Sequence, residues 1–307
     1  MATAATQKKS QISENEAKLR DTLTDMVCGD ELVGFVKERV RDELKGARKV
    51  VVKTPSGKTK TQTDGIYHRD FATALQAVTT GQNVALIGPT GSGKTTMAQQ
   101  IAEALGVEFY FNGAIHHEHK LTGFMDANSN YKPTPFYEAF VNGGVYLWDE
   151  FDASGAQAVL AFNAAMANGM MDFPNGVKKK HDQCYILASL NTWGSGRDRE
   201  YVGRNKMDAA SMNRLTVQLE IGYDEELERM ISSDKDWAEY CISARAAIMK
   251  LGIRHIVSPR ASIAGGELLA AGMSRTMVEQ TVLWQGLDKA DVKKVKRQMQ
   301  GESSEDF

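Results

Sequence analysis

The stretch Ala85–Gln100, ALIGPTGSGKTTMAQQ, leaves this chain little choice of fold. The apolar run just before the glycines reads as a short buried strand. The glycines turn the chain, and Met97, Ile101 and Leu105 then recur at helical spacing. Gly88, Gly91, Gly93, Lys94 and Thr95 fit the pattern G-x-x-x-x-G-K-[ST], with Pro89, Thr90, Ser92 and Thr96 completing the loop. Glycines at those positions let backbone N–H groups turn inward on phosphate oxygens with no Cβ in the way. Lys94 supplies a point charge to the β- and γ-phosphates, and Thr95 offers a hydroxyl to Mg²⁺. The following helix points its positive end at the anion. The expected ligand is ATP with Mg²⁺.

Around this loop, VEFYFNG, GGVYLWDEFD, QCYILASLNT and RLTVQLEIGY read as further strands, each separated from the next by helical patterning. Strands alternating with helices predict an α/β fold, a parallel five-stranded sheet covered on both faces as a three-layer αβα domain. After Tyr223 the strand signals fade and a small helical domain is expected. The expected boundaries are an appendage over 1–65, the nucleotide-binding domain over 66–223 and a helical lid with a polar tail over 224–307. In the appendage, residues 14–45 read as helix with a break at CGD and Asp30 as a cap. RKVVVKTPSGKTKTQT reads as two strands about a Pro-Ser-Gly turn.

A phosphate loop alone implies binding. The apolar run ending in Asp149 and Glu150 adds chemistry: a strand carries Asp149 to the phosphate loop, where it can hold Mg²⁺, and puts Glu150 where it can polarise an attacking water. The next buried strand ends in Asn191, whose amide can orient that water or touch the γ-phosphate.

In that order, GPTGSGKTT resembles a Walker A motif, VYLWDE a Walker B motif and LASLNT a sensor 1, the arrangement of AAA+ ATPases. LTGFMD, GGVYLWDEFDA, SLNTWGSG and YVGRNKMDAASMNRL narrow the likeness to the MoxR and dynein-related branch. Within it the chain is most similar to the small ATPase subunit of aerobic cobaltochelatase, a type found in bacteria and their phages. The likeness spans about Tyr67 to Arg260. It implies that Arg214, in SMNRL, reaches a neighbouring subunit's γ-phosphate, with Arg197, Arg199 and Arg204 as nearby alternatives. Leu215 replaces the Phe common after that arginine. It also implies that Arg260, in VSPRAS, is a sensor 2 residue, and Ser258 and Pro259 suit the start of its helix. The branch further implies a hairpin within NGMMDFPNGVKKKHDQCYILA and an insert within HHEHKLTGFMDANSNYKPTPF, both facing a pore or a partner.

The resemblance therefore implies a homo-oligomeric ring of six that hydrolyses ATP to remodel a protein client, with a von Willebrand factor A-domain protein as a possible partner. The alternatives are a nucleic-acid motor or a nucleotide-gated scaffold. A net charge of -2 and four scattered tryptophans offer neither a basic field nor a stacking platform for nucleic acid. No apolar run reaches bilayer length and the N-terminus lacks a secretory core, so a cytoplasmic location is expected. Three scattered cysteines read as reduced thiols. His116, His117, Glu118 and His119 tempt a metal reading, but only two of the histidines can share a strand face. Lys178–Lys180 read as a solvated hairpin edge.

Overall fold

The computed structural model describes residues 48–53, 59–196 and 201–301. The expectations for residues 14–45, Cys28, Asp30, the Pro-Ser-Gly turn, Arg197, Arg199 and the polar tail fall outside those residues.

Strands β1 (Arg48–Lys53) and β2 (Thr59–Gly65) form a two-stranded sheet. Helix α1 (Phe71–Thr79) buries Phe71, Ala74, Leu75 and Val78, a single face at i, i+3, i+4 and i+7. Strand β3 (Val84–Ile87) is buried throughout and feeds the glycine loop into α2 (Lys94–Leu105), which ends on left-handed Gly106. Then come β4 (Phe109–Asn112), the one-turn α3 (His119–Thr122) and a small antiparallel pair, β5 (Phe124–Met125) with β6 (Tyr131–Lys132). Helix α4 (Pro135–Asn142) starts with proline at its first position, capped by the Thr134 side chain, which accepts from Tyr137 N. It leads into β7 (Gly144–Trp148).

A 3₁₀ turn at Phe151–Ala153 precedes α5 (Ala156–Asn168), which runs into the hairpin β8 (Met170–Phe173) and β9 (Gly176–Lys179). The register pairs Phe173 with Gly176, so Pro174 and Asn175 make a two-residue turn. Strand β10 (Cys184–Leu190), α6 (Ala209–Arg214) and β11 (Val217–Glu220) complete the αβ part. The rest is helical: α7 (Glu225–Ile231), α8 (Lys235–Leu251), α9 (Pro259–Ala270), α10 (Arg275–Val278) with a π-helical continuation over Glu279–Leu283, and α11 (Lys289–Met299).

The five-stranded sheet has the order β11–β3–β10–β7–β4, parallel at every pairing. The three inner strands are buried at every position, which is why they read as continuous apolar runs. Successive side chains serve opposite faces. Ala85, Ile87, Tyr146 and Trp148 join one core with α4 and α5, while Val84, Leu86, Val145 and Leu147 join the other with α1 and α2. A third core, around Trp237, Ile248, Trp284 and Val295, holds the C-terminal helices together. Among the described residues no helix is long and apolar enough to cross a membrane.

This order places β10 between β3 and β7, so the loops leaving those three strands open at one edge. The first core is aromatic. The fully buried Phe162 ring lies 4.9 Å from Trp148 and 5.1 Å from Phe136. Phe162→Ala is expected to cost about 3–5 kcal/mol of stability, read from the shift of a chemical denaturation midpoint.

Candidate active site

The site is built at the carboxyl ends of β3, β7 and β10, where an open parallel sheet leaves a crevice. Its cavity, of about 420 Å³, is lined by the phosphate loop, Asp149, Glu150 and Asn191 on one side and by Leu227, Pro259, Arg260 and Ile263 on the other. Gly91 and Gly93 take φ of 76° and 91°, backbone that side chains rarely adopt. Gly88 is needed for space instead, since a Cβ there would lie 2.0 Å from the Ile221 carbonyl oxygen.

Lys94 is buried, and its ammonium donates to the carbonyls of Gly88 at 2.7 Å and Pro89 at 2.9 Å and to Asn191 Oδ1 at 2.9 Å. All three of its N–H groups are thus satisfied. Burial pushes Lys94 down to about 8, against the opposing pull of Asp149 and Asp152. Thr95 Oγ1 donates to Asp149 Oδ2 at 2.9 Å, and the other carboxylate oxygen accepts from Glu150 N at 2.9 Å and from Ser189 Oγ. The set Thr95 and Asp149 offers hard oxygens and fits Mg²⁺. The Ser92 hydroxyl is buried in the loop with no hydrogen-bond partner among the described residues, as suits a loop that closes on a polar ligand.

Glu150 has φ 53°, a left-handed backbone at a non-glycine residue. Such a turn costs about 1–2 kcal/mol and sits where the strand hands over to the site. Its half-exposed carboxylate lies 3.3 Å from Arg204 Nη2.

Sequence reasoning missed several members of this site. Asp152 is fully buried and accepts from Asn191 N, Thr192 N and Thr192 Oγ1. Tyr201 Oη accepts from Thr90 N at 2.9 Å, and Tyr223 Oη donates to Thr90 O at 3.0 Å. His68 accepts from Asp70 N at Nδ1, so Nε2 carries the proton and donates to the Gly222 carbonyl. Ile66, Leu227, Ile231 and Ile263 give the cavity an apolar end. None of these belongs to a spacing pattern, and only the fold gathers them.

The expected residues do not all converge. Arg260 lines the cavity, with its Cγ 3.8 Å from where a Cβ on Gly91 would lie. Ser258 does start α9, but its side chain makes no capping bond and instead packs beneath Gly91. Arg214 lies apart, at the end of α6, donating to its own helix at Ala210 O over 2.8 Å. Arg204 does not line the cavity but pairs with Glu150 and Asp152 of its own chain behind it. His117 and His119 stack at 5.6 Å, and among the described residues no group of three or more His, Cys, Asp or Glu is placed to hold a metal.

The segment holding this strand–loop–helix and the acidic strand β7 matches, over residues 83–215, the family model of the AAA domain, dynein-related subfamily. Over those 133 residues, less than half of the chain, the sequence is similar to that family. A second match, to the IstB-like ATP binding protein model, covers residues 1–117 and shares the phosphate loop. No curated protein matches the chain. Similar solved structures include NtrX from Brucella abortus, 15% identical with a TM-score of 0.48, covering 88% of this chain and 64% of that one. The same protein with ADP is 15% identical at 0.48, covering 75% and 59%. A RuvB variant from Thermotoga maritima is 16% identical at 0.49, covering 75% and 73%. The chain therefore spans about three fifths of the first two structures' length.

The buried Lys94 makes a pH prediction. An arriving triphosphate favours charged Lys94, whereas the free protein holds it at about 8. ATP affinity is expected to weaken as pH rises above 8, by at most about tenfold per unit. Calorimetry near pH 8.5, in buffers of contrasting ionisation enthalpy, should register net proton uptake on binding.

Proposed function

We propose that this chain is an AAA+ ATPase that hydrolyses ATP as one subunit of a homo-oligomeric ring, six-membered as in the MoxR and cobaltochelatase-like branch, and remodels a protein client. The observation that carries the reading is the division of charged groups. Lys94, Thr95, Asp149, Glu150 and Asn191 meet in one cavity, while Arg214 does not line it. A pocket that grips a triphosphate but keeps this arginine elsewhere suits a site completed by the next subunit.

In this reading Lys94 and the loop N–H groups, from Gly88 through Thr96, bind the phosphates. Thr95 and Asp149 would hold Mg²⁺, which would supply positive charge to offset that of the phosphates. Glu150 orients and polarises the water, and Asn191 aligns it against the γ-phosphate. Arg214 of one subunit offsets charge that spreads over the transferring phosphoryl in the next, and Arg260 reads the nucleotide from the lid. ATP at an interface ties two subunits together, and hydrolysis loosens them. That couples chemistry to movement between the domains spanning residues 66–223 and 224–307.

The two insert hairpins support a client-facing role. Phe124, Met125, Met170 and Val177 are exposed apolar side chains on them, and Asn175 at the tip of one donates to Tyr137 Oη beside the other. A von Willebrand factor A-domain protein is the proposed partner, and the cytoplasm the proposed location, the host's if the gene is a phage's.

Glu150→Gln is expected to bind ATP with near-normal affinity and abolish turnover. Arg214→Ala and Lys94→Ala should each be inactive, the former by about 10³-fold or more. A mixture of the two should recover turnover in rings where an intact pocket meets an intact Arg214. A dilute, strictly monomeric sample that cleaves ATP at full speed would overturn the shared pocket. DNA as the sole species captured by ATP-locked Glu150→Gln would overturn the protein-client assignment.

A further inference from the structure

Among the described residues the positively charged group paired with Glu150 is Arg204, from the same chain. Its Nη2 lies 3.3 Å from Glu150 Oε1, and its Nη1 lies 3.6 Å from Asp152 Oδ1. The Arg204 side chain is only 11% exposed and that of Asp152 is fully buried. One oxygen of Asp152 is consumed by the Asn191–Thr192 turn, which gives it three donors. The other has no hydrogen bond among the described residues and faces the guanidinium. A buried carboxylate needs such a counter-charge, and a planar guanidinium can serve two carboxylates at once.

The segment bearing Arg204 is fixed at both ends of this relay. Asn205 N donates to Asp152 O at 2.7 Å, and Asn205 Nδ2 to Ser154 O at 3.0 Å, just past Glu150. Lys206 bridges to Ser195, and Met207 N donates to Gly194 O at 2.9 Å, just past Asn191. Glu150 and Asn191, which stand on different strands, are thereby indexed to one buried ion pair.

We propose that Arg204 is a positioning residue acting in cis. With Asp152 it sets the geometry of Glu150 relative to Asn191 within one subunit's pocket. This rests on the ATPase reading above, in which Glu150 handles the attacking water. Arg204 leaves Glu150 Oε2 available for that water while fixing Oε1.

The test uses the full chain. Arg204→Met is expected to lower kcat for ATP roughly tenfold to a hundredfold, with KM within about threefold, and Arg204→Lys to recover part of the loss. Removing the arginine strands Asp152, so the double variant Arg204→Met with Asp152→Asn serves as the folding control. The asparagine keeps an oxygen acceptor for Asn191 and Thr192 and removes the charge. It should melt near the wild-type temperature and stay slow. In mixed rings, Arg204→Met with Glu150→Gln should recover no turnover, because in a cis arrangement every pocket carries a defect. Recovery in that mixture would make Arg204 a group that acts on the neighbour and would overturn the proposal. So would a folded double variant with unchanged or raised kcat, or one with weakened ATP binding and normal kcat. If Glu150→Gln itself retains turnover, the assignment of the attacking water to Glu150 falls and this proposal falls with it. If only the Arg204 variants retain it, this proposal alone falls.

Discussion

The phosphate loop is organised around one buried ammonium. Lys94 is enclosed by its own loop, and a charge in that position is tolerable only with all three N–H groups bonded. Two acceptors are carbonyls that the glycine turn directs inward. The third, Asn191, is supplied by β10, the strand beside β3. The lysine therefore holds the loop in shape and ties it to the neighbouring strand before any phosphate arrives. A triphosphate that takes over these contacts frees the Asn191 amide for another partner. The strand order makes this possible, because placing β10 between β3 and β7 brings Lys94, Asp149 and Asn191 to one edge.

The sequence was most informative where backbone demands fall on particular residue types. Left-handed backbone at Gly91 and Gly93, the crowding at Gly88 and the fully buried inner strands all leave marks in composition, so the loop, the five strands and their parallel pairing could be read in advance. The hairpin at Pro174–Asn175 was readable for the same reason. Asp152, Tyr201, Tyr223 and Ser189 were not. Each makes its contact across tens of residues through an ordinary polar side chain, and no local spacing announces such a contact. Arg204 shows the limit most clearly. Near Arg214 in the chain, it reads as a second candidate for the same outward task, yet the fold turns it back on Glu150.

The helical part is joined to the phosphate loop by a chain of contacts that no motif contains. Tyr223 donates to Thr90 O, and its ring carries the Arg245 guanidinium at 4.3 Å. Arg245 Nη2 donates to both carboxylate oxygens of the fully buried Glu228, at 2.7 and 2.8 Å, and Glu228 also accepts from Ser262 Oγ. Ser262 lies on α9, two residues beyond Arg260. Contact thus runs from the loop to the helix that presents Arg260 to the cavity, through a desolvated ion pair. A buried pair adds little net stability but tolerates few alternative geometries, because either partner alone is costly. Its value here is directional. These contacts link the phosphate loop at Thr90 to α9, and α9 in turn packs Ser258 against Gly91. Loop and α9 thus touch at two points, one through the Tyr223 relay and one directly. In the proposed ATPase reading, that double contact is the route from nucleotide state to the helical part.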